Sequence, residues 1–170
     1  VSSSTGTISG TPTTACTCSV TLTATDSSSY TGSATFTWTV ANTVTVTNPG
    51  NQSSTSGTAI TPVAPSGSDS SSTATLTWSA AGLPSGLSVN SSTGAVTGTP
   101  LAACTCSVSL TATDGAGFSA SATFTWTVAN TVTVTNPGAM TTRSGTTITP
   151  VVVGATDTSG TEVLAWSATG

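Results

Sequence analysis

Apolar and polar residues alternate with a period of two along most of this chain. In the segment 119–128, Ala122, Phe124 and Trp126 fall on one side, and the residues between them are serine or threonine. Such alternation predicts half-buried strands, and β-branched threonine suits their water-facing side. Clusters of Gly, Pro, Asn and Ser separate these segments, and no window has a helical period. The pattern predicts an all-β protein.

The pattern repeats every 88 residues. Thr-Val-Thr-Val-Thr-Asn-Pro-Gly begins at Thr43 and again at Thr131, and no insertion or deletion interrupts this spacing. About seven short strands, each with one apolar face, fit into one unit of this size. We therefore predict tandem antiparallel β-sandwiches with a period of 88 residues.

The spacing divides the chain into one complete unit and two halves. Residues 43–130 form a complete repeat, residues 1–42 the C-terminal half of another, and residues 131–170 the N-terminal half of a third. The same alternation continues through Asn130, without a Gly/Ser-rich or Pro-rich linker. We therefore expect short, stiff junctions between units.

The four tryptophans, Trp38, Trp78, Trp126 and Trp166, follow the same 88-residue spacing. Exposed tryptophan can stack on sugar rings. All four nevertheless share the parity of the apolar face, which predicts that they pack in the core.

Three motifs of the complete repeat carry a family resemblance. They are Gly-Leu-Pro-Ser-Gly-Leu-Ser-Val at 82–89, Ser-Thr-Gly-Ala-Val-Thr-Gly-Thr-Pro at 92–100 and Ser-Val-Ser-Leu-Thr-Ala-Thr-Asp at 107–114. Together they resemble the immunoglobulin-like, dystroglycan-type cadherin-like repeats of bacterial surface and secreted proteins. The resemblance implies a cadherin-like sandwich, repeated in tandem on a long extracellular or cell-surface protein. It also implies a role in spacing or adhesion rather than a defined reaction.

Cys-Thr-Cys motifs occur at Cys16 and Cys18 and at Cys104 and Cys106, and the sequence departs from that family pattern at Cys104 and Cys106. The sequence has no histidine, which argues against a zinc site, whereas disulfides are common in extracellular proteins. Residues two apart in a strand are separated by about 6.6–7 Å, at or beyond the usual limit for a disulfide. A bond within each motif therefore requires a local kink or bulge. We favour that bond, with buried thiols and a bond to another chain as open alternatives.

Charged residues are few: one Arg, five acids, and neither Lys nor His. Nucleophilic catalysis needs a base, and no pair of close carboxylates is visible. We therefore expect no enzymatic activity, no catalytic residue and no cofactor. The sequence also has no basic patch for nucleic acid, and no apolar run approaches the roughly 20 residues that span a membrane.

Two further kinds of site are weaker candidates. Asp26 and Asp114 each end a Thr-Ala-Thr-Asp motif and could contribute to a calcium site, but a turn closed by the aspartate side chain explains them better. Asn51 and Asn90 fit the short N-glycosylation pattern, which is common by chance.

These observations predict a structural repeat module of an extracellular fibre, stalk or filament. The alternative is an adhesive or glycan-binding immunoglobulin-like module, for which a glycan would be the partner. Each half-repeat alone would expose an apolar face and unpaired strand edges. We therefore expect copies of the chain to associate head to tail, residues 131–170 of one copy completing a sandwich with residues 1–42 of the next.

Overall fold

The computed structural model describes residues 1–71, 75–160 and 163–170. All regular secondary structure in these residues is β, which confirms the predicted class. The predicted strand at 73–79 lies partly outside the described residues, and the observed strand begins at Thr77. In the described part of the chain the strands are β1 (Cys16–Thr25), β2 (Thr31–Val40), β3 (Val44–Val46), β4 (Gln52–Thr55), β5 (Gly67–Asp69), β6 (Thr77–Ala81), β7 (Leu87–Val89), β8 (Val96–Gly98), β9 (Cys104–Thr113), β10 (Ser119–Ala129), β11 (Val132–Val134) and β12 (Ala155–Asp157).

The complete repeat is a sandwich made from β3 to β10. One layer is a four-stranded sheet in the order β4–β10–β9–β6, and the two-stranded sheets β3–β5 and β7–β8 pack against it. Most pairings are antiparallel, as predicted, but β4 runs parallel to β10. The chain leaves β3 through Pro49 and Gly50, changes layer and joins the edge of the other sheet in the direction of β10. This layer change is why one pair departs from the antiparallel prediction.

The core lies between the two layers and is formed by the apolar side of each strand. Trp126 is at its centre with 1% of its surface exposed, and its indole nitrogen donates a hydrogen bond to the Ser54 hydroxyl at 3.0 Å. The other members of the main buried cluster are Val96, Val108, Leu110, Phe124 and Val128. Complete burial of one such side chain stabilises the fold by about 1.5–3 kcal/mol, so this cluster dominates the stability of the repeat.

The half-repeats reproduce parts of this fold. We call two residues 88 positions apart counterparts. In the first half, β1 pairs with β2 so that Cys18 lies opposite Trp38, as their counterparts Cys106 and Trp126 do. In the second half, β11 pairs with β12 in the same alignment that β3 has with β5. Each half-repeat therefore forms a strand pair of the complete repeat when it contains both strands of that pair.

Two segments of the second half form no strand, although their counterparts do. These segments are 140–143, which corresponds to β4, and 165–169, which corresponds to β6. The predicted strand ending at Trp166 is therefore not formed within the described residues 163–170. The reason is the lack of a partner, since β4 and β6 pair with β10 and β9, whose equivalents are not in this half.

The junctions between units are short. Strand β2 ends at Val40 and β3 begins at Val44, while β10 ends at Ala129 and β11 begins at Val132. Among the described residues no helix is long and apolar enough to cross a membrane.

Candidate functional site

The hairpin β1–β2 presents an open apolar face. Trp38 is 43% exposed and Phe36 is 37% exposed, whereas their counterparts Trp126 and Phe124 are buried at 1% and 4%. The side chains are already in the geometry of the core, because the ring centroids of Phe36 and Trp38 are 6.1 Å apart and those of Phe124 and Trp126 are 6.2 Å apart. Trp38, which its parity assigns to a core face, is therefore exposed in the single chain, where no layer of the described residues covers it.

A groove of about 510 Å³ runs along this face. Its apolar lining is Ile8, Pro12, Cys16, Val20, Trp38 and Val40. The counterparts of these residues are buried or half-buried in the complete repeat: Val96, Pro100, Cys104, Val108, Trp126 and Val128. The groove is thus one side of a sandwich core without its opposite side. In the complete repeat that opposite side includes Ile60, Val63 and Ala80.

The second half exposes the complementary side. Ile148 and Val151, the counterparts of Ile60 and Val63, are 66% and 47% exposed. Trp166 is 57% exposed, whereas its counterpart Trp78 is buried at 7%. The structure therefore places Trp78 and Trp126 in the core and leaves Trp166 exposed in the single chain. The reason is the same as for Trp38, since the strands that would cover Trp166 are absent from residues 131–170.

A polar cluster forms the first junction. The Asn42 side-chain oxygen accepts hydrogen bonds from the Thr43 amide at 2.9 Å and the Ser70 hydroxyl at 2.7 Å. The Asn42 side-chain nitrogen donates to the Asp114 carboxylate at 2.6 Å. One asparagine therefore joins the last residue of one unit to two loops of the next. Sequence reasoning missed it, although the Asn-Thr pairs at 42–43 and 130–131 and the hydroxyls at 70 and 158 recur at the same spacing.

The second junction repeats this arrangement around Asn130. Its side-chain oxygen accepts from the Thr131 amide, the Thr158 hydroxyl and the Ser56 hydroxyl, at 2.9, 2.7 and 3.1 Å. Ser56 is completely buried in this cluster. Buried hydroxyl groups need such partners, so the bonds hold the two units in one relative orientation.

A second contact recurs at both junctions. The Ser71 hydroxyl donates to the Thr13 carbonyl at 2.9 Å, and the Ser159 hydroxyl donates to the Leu101 carbonyl at 3.2 Å. These donors and acceptors are counterparts, so the same surfaces meet at each junction.

Both Cys-Thr-Cys motifs contain a disulfide, Cys16–Cys18 and Cys104–Cys106. The Cα–Cα distance is 5.5 Å in each, shorter than the 6.6–7 Å of an extended strand. The bond within each motif is therefore confirmed, and the backbone contracts locally to allow it. No free cysteine occurs among the described residues.

The aspartates predicted as weak calcium candidates close their own loops. One carboxylate oxygen of Asp26 accepts from the amides of Ser28 and Tyr30, and that of Asp114 accepts from the amides of Ala116 and Phe118. This geometry is the aspartate turn that the sequence suggested. The described residues contain no group of three or more side chains of the kinds that hold a metal ion.

The two glycosylation candidates lie on the surface. Asn51 accepts a hydrogen bond from the Thr125 amide, and Asn90 accepts from the amides of Ser92 and Thr93. Both residues are exposed.

Comparison with known proteins gives a family match over most of the chain. A family model described as "Putative Ig domain" matches residues 1–41 and, separately, residues 42–129. The chain belongs to this immunoglobulin-like family. Domains of this family and of the cadherin-like type are typically extracellular and typically not enzymes. No curated protein matches the sequence significantly.

Solved structures resemble the chain only distantly. Human CDH23 EC21-23 is 19% identical with a TM-score of 0.44, covering 82% of this chain and 53% of that one. Protocadherin Gamma B7 extracellular cadherin domains 1–4 are 11% identical with a TM-score of 0.44, covering 75% and 44%. A "putative alpha-galactosidase/melibiase" from Bacteroides fragilis is 19% identical with a TM-score of 0.41, covering 51% of this chain but only 17% of its own. Identities and TM-scores this low say nothing about the activity of this chain.

Proposed function

We propose that this chain is a structural repeat module of an extracellular fibre, stalk or filament, assembled head to tail. In this assembly residues 131–170 of one copy complete a sandwich with residues 1–42 of the next copy. The observation that carries the proposal is the exposed apolar face of β1–β2, whose counterpart is the core of the complete repeat.

The fit of the two halves can be derived from the complete repeat. There Ile60 and Val63 pack against the cluster around Trp126. By the same spacing, Ile148 and Val151 of one copy would fill the groove beside Trp38 of the next. Both sides are apolar, so their association removes this surface from water. An exposed apolar surface of this kind is typical of an interaction site.

The strand edges support the same arrangement. The hairpin β1–β2 has two unpaired edges, and residues 140–143 and 165–169 form no strand. In the complete repeat the equivalent segments pair with those two edges. The Trp126–Ser54 hydrogen bond also has an equivalent, because Thr142 keeps a hydroxyl where Trp38 of the next copy would need one. Addition of strands to open edges gives affinity through main-chain hydrogen bonds.

The alternative function, adhesion through glycan binding, would use the exposed Trp38 in the groove. Ser9 and Thr11 also line this groove and could orient a sugar, but the rest of its lining is mainly apolar. The counterpart of Trp38 is a core residue, which favours a second copy of the chain as the occupant. Binding of a soluble glycan to a chain that does not self-associate would support the alternative.

A pair of neighbouring substitutions tests the assembly. Trp38→Asp puts a charge on the apolar face, whereas Thr39→Asp puts the same charge on the opposite, water-facing side of the same strand. We expect the wild-type chain and Thr39→Asp to form filaments in sedimentation and negative-stain electron microscopy, and Trp38→Asp to remain monomeric. Equal behaviour of the two variants, or a wild-type chain that stays monomeric at high concentration, would refute the proposal.

Whether copies are joined covalently is a separate question, and a denaturing gel of the native material answers it. A band at the chain mass of 16.3 kDa indicates discrete subunits. Material too large to enter the gel indicates one long polypeptide of tandem repeats, in which the same surfaces meet within the chain.

A further inference from the structure

The asparagines of the two junctions differ in how many of their side-chain groups are hydrogen-bonded. Asn42 uses both ends of its side-chain amide, because its oxygen accepts from Ser70 and its nitrogen donates to Asp114. Only 6% of the Asp114 surface is exposed, so this hydrogen bond is largely shielded from solvent. The amide thereby links the end of one unit to the loop between the last two strands of the next.

Asn130 uses only one end of its amide. Its oxygen accepts three hydrogen bonds, but its nitrogen has no partner among residues 1–71, 75–160 and 163–170. The counterpart of the Asn42–Asp114 bond would need an aspartate located 88 residues beyond Asp114, in the sandwich that follows Asn130.

In the proposed assembly Asp26 of the next copy, the counterpart of Asp114, would be that aspartate. Its Oδ1 atom accepts from the amides of its own loop, as Oδ1 of Asp114 does. Its Oδ2 atom has no partner in the described part of the chain, whereas Oδ2 of Asp114 accepts from Asn42. The unused donor and the unused acceptor are therefore the same two atoms that bond at the first junction.

We propose that the Asn130 side-chain nitrogen donates a hydrogen bond to Oδ2 of Asp26 in the following copy. This inference rests on the proposed head-to-tail assembly and adds a residue pair that gives it direction and orientation. The donor lies immediately before the C-terminal half-repeat and the acceptor lies in the N-terminal half-repeat, so the head-to-tail arrangement brings them together. By the same spacing, the hydroxyl of Ser144 in the preceding copy takes the place at Asn42 that Ser56 has at Asn130.

An exchange of the two side chains tests this pair without removing the bonds that each makes within its own unit. In Asn130→Asp the carboxylate can still accept from Thr131, Thr158 and Ser56, but it places a second negative charge against Asp26. In Asp26→Asn the side-chain oxygen can still accept from the loop amides, but the side-chain nitrogen then faces the Asn130 nitrogen, so two donors meet without an acceptor. The double variant again places an amide nitrogen opposite a carboxylate, but the donor is now at position 26 and the acceptor at position 130. Asn51→Asp, at an exposed asparagine of the complete repeat, controls for the added charge.

The measurement is the dissociation constant for self-association of the full chain, from sedimentation at neutral pH. Hydrogen bonds to charged groups are strong enough that we expect Asn130→Asp to weaken association roughly tenfold to a hundredfold. The double variant should return to within about threefold of the wild-type value, as expected for a restored charge-assisted hydrogen bond. Tryptophan fluorescence should show the complete repeat folded in each variant.

Three results would overturn the inference. If Asn130→Asp associates as tightly as Asn51→Asp, the pair does not form, although the assembly proposal stands. If the double variant is as weak as Asn130→Asp, the loss does not come from this pair. If the wild-type chain does not associate at all, both proposals fail together.

Discussion

At the scale of single residues, Gly94 is the glycine where an added Cβ atom would come closest to a core side chain. Its φ angle is +73°, and a Cβ atom there would lie 2.6 Å from the Trp78 ring and 2.9 Å from Pro65. Gly50 has a similar φ of +78° but nothing within 4 Å of such an atom. The two positions therefore share the backbone constraint and differ in the contact.

We expect Gly94→Ala to lower the free energy of unfolding of the complete repeat by roughly 2–4 kcal/mol, because backbone strain and overpacking add. Gly50→Ala should cost only about 1 kcal/mol, from the backbone strain alone. Denaturant titration followed by tryptophan fluorescence measures both. Equal losses for the two variants would show that the contact with Trp78 does not matter.

Single residues also show where sequence reasoning stops. Parity along the strands identified the core side chains, as Trp78 and Trp126 confirm. Parity alone does not give the exposure of Trp38, which depends on the strands that pack opposite; the 88-residue spacing supplied that information, because it places Trp38 in a half-repeat with an exposed apolar face. Asn42 was missed, since its partners Ser70 and Asp114 are distant in sequence and meet only through the fold.

At the scale of elements, strands form where a partner is available. Hairpin β1–β2 pairs over ten residues in each strand, because its two strands are adjacent in sequence and loop closure is short. The parallel partner of β10 is β4, more than sixty residues earlier in the chain. Local patterning predicted the hairpins, but a threonine- and serine-rich segment such as Gln52–Thr55 has no apolar alternation that would indicate an edge strand. Its identification required the tertiary structure.

Hydrogen exchange should reveal strand formation on assembly. We expect the amides of residues 140–143 and 165–169 to exchange rapidly in dilute monomer and slowly in assembled material, because they would then pair with the edges of β2 and β1 of the next copy. Strands β4 and β6 are the internal control, since they are paired in both states and should exchange slowly throughout. Unchanged exchange at 140–143 on assembly would contradict the proposed pairing.

At the scale of the whole molecule, the constant 88-residue spacing is matched by two junctions with the same contacts. Tandem repeats contribute stability unit by unit and through the interfaces between neighbours. Here each interface is a short junction with the same hydroxyl–carbonyl contact, Ser71 to Thr13 and Ser159 to Leu101. A head-to-tail surface that does not close into a ring extends as a filament. The head-to-tail connectivity is a proposal that the spacing alone suggests, whereas the side-chain bonds that orient one unit on the next were found only in the structure.

Proteolysis can report on the assembled state because the chain has a single trypsin site. Arg143 is its only Lys or Arg residue, and in the single chain it is exposed and outside any strand. Its counterpart Thr55 ends β4 and pairs with Ala129, so in an assembly Arg143 would lie in a strand beside Ala41 of the next copy. Exposed, unpaired segments are preferred sites of cleavage.

We therefore expect trypsin to cut dilute monomer once, after Arg143, and to leave assembled material intact over the same time. Trp38→Asp should be cut at every protein concentration, because it cannot receive the strand of the preceding copy, whereas Thr39→Asp should become resistant as its concentration rises. Mass spectrometry of the digest identifies the cut. Filaments cleaved as fast as monomer would mean that residues 140–143 remain unpaired after assembly, so that the copies meet through some surface other than the completed sandwich.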